Sequence, residues 1–192
     1  MPLKKLTALA DTLNVTDIAS IVINNPSFAV WSGAGKHNQH HYGKGGLAIH
    51  TCEVVELCLK NREILSLTQL DPVELYLSAL FHDVGKMWDY AQKSNGPVDA
   101  WNPSDEWTST DHKYKIHHIT RSVIEWNAAC YTYPRYKPYV DKVTHNILAH
   151  HGQRAWGSPV IPDTKSAWLL HICDMMSARM QDGDDCNKHS RT

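Results

Sequence analysis

Histidine and aspartate carry the chemical signal in this chain. Thirteen of its 192 residues are histidine, with adjacent pairs at His40/His41, His117/His118 and His150/His151. Imidazole is the commonest metal ligand among side chains, and carboxylates share cations with it readily, so an ordered set of the two is a metal-site signature. The set here is His50, His82-Asp83, His118, His150-His151 and Asp174, with 23–35 residues between successive members. Each interval holds one helix plus one connection. Groups spaced this way come from separate helices of a bundle and can converge on one interior point. Neighbours on a helix point about 100° apart, so His82 can hold one cation while Asp83 reaches a second. A single buried histidine is more often a hydrogen-bonded core residue, and it is the ordered set that favours metal. His117 competes with His118 for the third position. His171, one helical turn before Asp174, can orient that carboxylate, touch a substrate or be structural.

Apolar residues recur at helical spacing through most of the chain, with no sustained strand-like alternation, so the expected fold is all-α. Two short helices are expected over 3–24, the second capped at Thr16 with Asp17 in its first turn, ending before Asn25-Pro26. The loop FAVWSGAGKHNQHHYGKGG follows, too polar for a core. A helix over about 46–64 carries His50. Asp71, Pro72 and Glu74 then form a strong start signal for a helix running through Phe81 into His82-Asp83. Residues 87–112 mix Pro, Gly, Asn, Ser and three Trp without a period, which predicts an irregular insertion, with room for a small hairpin, over a site. Helices over about 113–130, 138–151 and 164–181 bring in the remaining histidines and Asp174. Trp126 and Trp168 fall within these helices and are expected in the core. Trp101, Trp107 and Trp156 fall in loops, where an indole can stack on a nucleobase.

Charge and cysteine content exclude several classes. With 19 basic and 20 acidic residues and a net charge of −1, the chain lacks the broad positive field of a duplex-DNA-binding face. Five cysteines, odd in number and without a CxxC pair, read as reduced core residues of a cytoplasmic protein. The start MPLKKLTALADTLNV lacks the features of a signal peptide, and no window approaches 18 uninterrupted apolar residues, so neither secretion nor membrane spanning is expected. A chain of this size buries about 70% of its surface on folding, so a metal is not required merely to fold it. His37, His112, His145 and His189 are expected to be solvated, as are Lys36, Lys44, Lys113 and Lys115.

The order H…HD…H…HH…D resembles that of the HD-domain metal-dependent phosphohydrolases, over residues 37–180. The local matches are HHYGKGGLAIHT at 40–51, LFHDVGK at 80–86, HHIT at 117–120, LAHHG at 148–152, GSPVIP at 157–162 and LLHICDMMSARM at 169–180. Within that superfamily the likeness is greatest to the HD domain of bacterial 3′-end exoribonucleases of the YhaM type. Together with the helix pattern, this predicts one HD-type helical bundle over 1–181, with N-terminal helices over 1–25, a substrate-side loop over 26–45 and a flexible polar tail over 182–192. The resemblance implies that His50, His82, Asp83 and Asp174 hold one divalent transition metal, and that His118, His150 and His151 hold a second, with Asp83 bridging. Mn, Fe, Zn, Co and Ni all suit such ligands.

Asp83 and Lys86 are the catalytic candidates, Lys86 as a point charge on a phosphate oxygen, and Gly85 is expected to ease the turn between them. His40, His41 and Lys44, with Lys86 and His171, complete the expected substrate contacts. The implied activity is phosphoester hydrolysis by metal-activated water, on nucleotides or on the 3′ end of short single-stranded RNA or DNA. Two other readings share the ligand set: an HD-type diiron oxygenase and a non-catalytic nucleotide-sensing module. Lys86 in its HDVGK context leans against the first, and the full ligand set leans against the second.

Overall fold

Ten α-helices and one two-stranded antiparallel sheet make up the computed structural model among the residues it describes, which are 2–36, 39–93 and 107–179. In order these are α1 (Pro2–Thr12), α2 (Thr16–Ile23), α3 (Pro26–Val30), α4 (Gly46–Ile64), α5 (Pro72–Phe81), α6 (Lys86–Asp89), β1 (Tyr90–Gln92), β2 (Trp107–Ser109), α7 (Asp111–Lys115), α8 (His118–Thr132), α9 (Val140–Ala149) and α10 (Lys165–Arg179). The all-α expectation therefore holds. No helix among the described residues is long and apolar enough to cross a membrane.

α5 is the centre of the bundle, packed against α2, α4, α8, α9 and α10. Glu74 through Phe81 are all buried, which is why this segment is apolar around its whole circumference rather than along one stripe. Its start follows the sequence signal. Asp71 caps it by accepting the Val73 N–H at 2.8 Å, with Pro72 in the first turn; such a cap contributes about 1 kcal/mol. Glu74 turns instead to Asn146, accepting from Nδ2 at 3.2 Å. Fully buried Asn146 also donates to Ser78 Oγ (2.9 Å) and accepts from Ser166 Oγ (3.3 Å), tying α5, α9 and α10 together through a satisfied polar network.

Several local expectations change. Thr16 is the first residue of α2 rather than its cap, and its hydroxyl donates to Asp11 Oδ1. Asn25-Pro26 ends one helix and starts another, because Asn25 Oδ1 accepts the Ser27 N–H at 2.9 Å and Pro26 suits the first helical position, so the 26–45 loop contains α3. The helix expected over 113–130 breaks into α7 and α8 at His117, whose φ is +72°. Residues 134–139 form a 3-10 turn ahead of α9. In the insertion, Tyr90–Gln92 pairs with Trp107–Ser109 as antiparallel strands, Tyr90 opposite Ser109; residues 94–106, including Trp101, lie outside the described residues, as do His37, His189, Cys186 and residues 182–192. Trp107 is buried edge-on against Trp31 at 4.9 Å and is closed to a base. Trp126 is in the core against Phe81, but Trp168 is half exposed. Cys52, Cys58, Cys130 and Cys173 are free thiols in the interior.

Candidate metal centre

Five helices deliver the histidine and aspartate set to one end of the bundle. His50 lies on the buried face of α4, and His82-Asp83 continues directly from the end of α5. His118 opens α8, whose buried residues His118, Ser122, Trp126 and Cys130 recur every fourth position. His150 and His151 follow α9, and Asp174 sits on the buried face of α10. Two donor groups result. In the first, His50 Nε2 lies 3.3 Å from Asp83 Oδ2, 3.0 Å from Asp174 Oδ1 and 3.2 Å from His82 Nε2. His82 Nε2 is 3.3 Å from Asp83 Oδ2 and 3.8 Å from Asp174 Oδ1. In the second, His118 Nε2 is 3.3 Å from His151 Nε2. The other oxygen of Asp83, Oδ1, faces this second group, 3.5 Å from His118 Nε2 and 3.7 Å from His150 Nε2.

The Nδ1 partners decide which way each ring presents its lone pair. His82 Nδ1–H donates to the Ala79 carbonyl (2.7 Å), His150 Nδ1–H to the Ile147 carbonyl (2.6 Å) and His151 Nδ1–H to the Trp156 carbonyl (2.8 Å). His118 Nδ1–H donates to Asp89 Oδ2 at 3.0 Å. A carbonyl or carboxylate only accepts, so Nδ1 carries the proton and the neutral ring points an Nε2 lone pair inward. His50 reaches the same state through a relay: its Nδ1–H donates to Ser177 Oγ (2.9 Å), whose own proton goes to Glu53 Oε2 (2.8 Å). Outer hydrogen bonds of this kind fix tautomer and orientation in metal-ligating histidines.

Five lone pairs and two carboxylates thus converge in a buried space, an arrangement that repels itself unless a cation occupies it. Asp83 Oδ1 and His150 Nε2 are both buried and have no hydrogen-bond partner among the described residues; each such atom costs about 1–3 kcal/mol. Donor atoms 3.0–3.8 Å apart can share one ion with bonds of about 2.1 Å. The residues therefore fit a divalent metal.

The titration behaviour agrees. Burial pushes His118 down to about 4, against the pull of Asp89, and holds His150 and His151 below the usual imidazole range. Burial alone would raise Asp83, yet Lys86 and His82 hold it well below the carboxylate range. Burial opposes charge on His50 as well, but the Asp174 and Asp83 carboxylates raise it, marking the spot where positive charge is favoured.

An open cavity of about 390 Å³ leads to the first group, lined among others by His40, His50, Asp83, Lys86, His151, Trp156 and Asp174. Lys86 Nζ bonds Asp83 Oδ2 at 2.6 Å. Of the expected substrate contacts, His40 and Lys86 line this cavity, while His41, Lys44 and His171 are not among its lining residues. His41 is turned inward instead, its Nε2–H donating to Glu53 Oε2 at 2.9 Å. Lys44 is exposed. His171 Nδ1–H donates to the His150 carbonyl at 2.8 Å, so it braces the histidine pair rather than Asp174. His117 stacks beside His118 at 4.1 Å, and it is His118 whose Nε2 faces Asp83.

Gly85 has an ordinary helical φ of −60°, so it eases no turn. It is required by close approach, since a Cβ there would run into the His118 backbone. Its N–H donates to Ser122 Oγ at 2.9 Å.

Three supporting residues escaped the sequence reading. Asp89, fully buried at the end of α6, accepts the His118 N–H (3.0 Å), His118 Nδ1–H (3.0 Å) and His112 Nδ1–H (2.7 Å), so His112 is not a solvated residue. Burial would raise its carboxyl, but the bonds from His118 and His112 hold it low. Glu53 and Ser177 are the other two, each three residues after a candidate ligand, His50 and Asp174. That i,i+3 spacing was the available signal.

Comparison with known proteins follows the same pattern. Residues 47–179 match the family model described as HD domain. The chain is 31% identical over 163 residues to the 3′-5′ exoribonuclease YhaM of Bacillus pumilus, an alignment covering 84% of this chain and 47% of that protein. It is 30% identical over 141 residues to YhaM of Bacillus subtilis, covering 73% and 41%. It is 26% identical over 148 residues to the dihydroneopterin 2′,3′-cyclic phosphate phosphodiesterase of Methanocaldococcus jannaschii, covering 76% and 51%. The chain spans about half the length of these relatives, or less. No solved structure matches it. With two thirds of its length inside the family model and its histidines and aspartates gathered at one centre, the chain belongs to the HD-domain family.

Proposed function

We propose that the chain is a metal-dependent phosphohydrolase acting on nucleotides or on the 3′ end of a short single-stranded nucleic acid. The carrying observation is Asp83, whose two oxygens face two different histidine groups, one of them without a hydrogen-bond partner. His50, His82, Asp83 and Asp174 would hold one cation and His118, His150 and His151 a second, with Asp83 reaching both. Bound there, divalent transition ions supply Lewis acidity for activating water and offsetting phosphoryl charge. The nitrogen-rich donors suit Mn, Fe, Zn, Co or Ni better than Mg or Ca.

The chain's own residues do the rest. Lys86, raised by Asp83 against its burial, keeps its proton and stands at the cavity as a cation for a substrate oxygen. His40 borders the same opening. The clamped Nδ1 protons of His82, His118, His150 and His151 leave those rings no freedom to reorient during a cycle. The names of the relatives support the reading, since exoribonuclease and cyclic phosphate phosphodiesterase both describe breakage of a phosphodiester bond.

The test begins with metal analysis of protein purified without added metal, followed by assay of that sample on a nucleotide panel and a single-stranded RNA. We expect bound transition metal and phosphoester hydrolysis that is lost on chelation and in Asp83→Asn, with the helical circular-dichroism signal kept. Turnover that survives either treatment refutes the reading.

A further inference from the structure

α10 presents two faces of different character. One carries Asp174 into the candidate centre. On the other, Trp168 and Ile172, one turn apart, are each 50% exposed. Trp156, 51% exposed, stands on a short 3-10 turn and lines the same cavity as Asp83, Lys86 and Asp174. His171 lies between the two indoles, its ring centroid 6.2 Å from Trp156 and 6.0 Å from Trp168.

The middle ring of this strip, His171, is held in place. His171 is tied by Nδ1 to the His150 carbonyl and packs on Gly152, where a Cβ would strike the imidazole. The Trp156 carbonyl accepts from His151 Nδ1 and its N–H donates to the Gln153 carbonyl at 3.0 Å. A row of aromatic surfaces therefore begins at the cavity wall and continues outside it along α10. Half-exposed indoles are unfavourable in water and favourable under a flat apolar partner.

We propose that Trp156, His171 and Trp168 form a stacking track for the bases of single-stranded nucleic acid whose terminal phosphoester enters the cavity. The assignment rests on the phosphohydrolase reading for the bond that is cut, and it deepens that reading by favouring an oligonucleotide over a mononucleotide. A mononucleotide in the cavity reaches Trp156 alone, because Trp168 is not among the cavity's lining residues.

Charge points the same way. Exposed Arg154 lies in the turn that carries Trp156, and exposed Lys165 lies one helical turn before Trp168. Cations thus flank the rings where a backbone would pass. With a net charge of −1, phosphate attraction over the whole chain is weak, so stacking must carry much of the affinity, and stacking tolerates any base.

The experiment measures binding of phosphorothioate-linked di- and tetra-adenylate to metal-replete protein by calorimetry, beside hydrolysis of the corresponding ordinary oligonucleotides. Wild type should bind the tetranucleotide about tenfold or more tighter than the dinucleotide, as expected for one added base-ring stack. Trp168→Ala should remove that length preference while leaving dinucleotide binding unchanged, and Trp168→Phe should keep most of it. Trp168 is half exposed, so its loss threatens no core. Equal affinity for both lengths in wild type overturns the proposal, as does a Trp168→Ala loss that is the same for both lengths. Failure of either length to bind also overturns it and turns the strip towards a protein partner. Length-dependent binding without hydrolysis upholds the track and defeats the phosphohydrolase reading, so the two fail separately.

Discussion

Asp89→Asn isolates the contribution of an outer residue to the second donor group. The wild-type carboxylate accepts three hydrogen bonds on two oxygens, two from His118 and one from His112. An asparagine of the same shape has one acceptor oxygen. If that oxygen turns to His118, its amide protons meet His112 Nδ1–H, and two donors face each other in a site where Asp89 is fully buried. Leaving one buried donor unmatched costs about 1–3 kcal/mol. Taking about 2 kcal/mol, and about 2–4 °C per kcal/mol for a domain of this size, the midpoint of thermal unfolding should fall by roughly 4–8 °C.

The variant should also bind metal less well at one group only. Loss of such an outer carboxylate typically weakens a site by about 10–100-fold. His50, His82 and Asp174 make no contact with Asp89, so the first site should be unaffected. Calorimetric titration with Zn(II) resolves the two. Unchanged affinity at both sites, or an equal loss at both, refutes the assignment of Asp89 as the residue that positions His118.

Two further outcomes follow from the geometry. Gly85→Ala should destabilise the protein and weaken the His118 site, because the new methyl must displace the His118 backbone; scanning calorimetry and a Zn(II) titration check both effects. In metal-free protein, stability should fall as pH is lowered from about 6.5 towards 4. The unfolded chain protonates its histidines near 6.5, whereas burial holds native His118 to about 4 and keeps His150 and His151 low as well. His118 alone accounts for up to about 3 kcal/mol across that window. His50 works in the opposite sense, since its raised value stabilises the fold at low pH and that contribution is lost as pH rises through the folded value. Burial holds His41 and His117 low as well, so five groups outweigh one, and urea midpoints at pH 7, 5.5 and 4.5 in chelator measure the net slope.

What could be read along the chain was whatever depends on near neighbours. Asp71-Pro72 starts α5 through a bond two residues away, and the period of apolar residues in α8 places His118 on its buried face. The order of ligand types, with HD at a helix end, was legible for the same reason, whereas His117 and His118 stayed in competition until packing turned His118 Nε2 towards Asp83. Helix ends were less so. His117 adopts a left-handed backbone to let α8 start afresh, and nothing in an apolar period signals that break.

Tertiary structure alone decided which groups support, which face solvent and which are closed. Asp89 meets His118 across 29 residues of chain, and Ser177 meets His50 across 127. Trp168 and Trp126 occupy similar helical contexts, yet one is half exposed and the other fully buried, with Phe81 of α5 edge-on against Trp126. Side-chain type and local spacing determine what chemistry is available. Burial, tautomer and the pairing of donor with acceptor are set by contacts between segments far apart in sequence, and those exist only once the helices have packed.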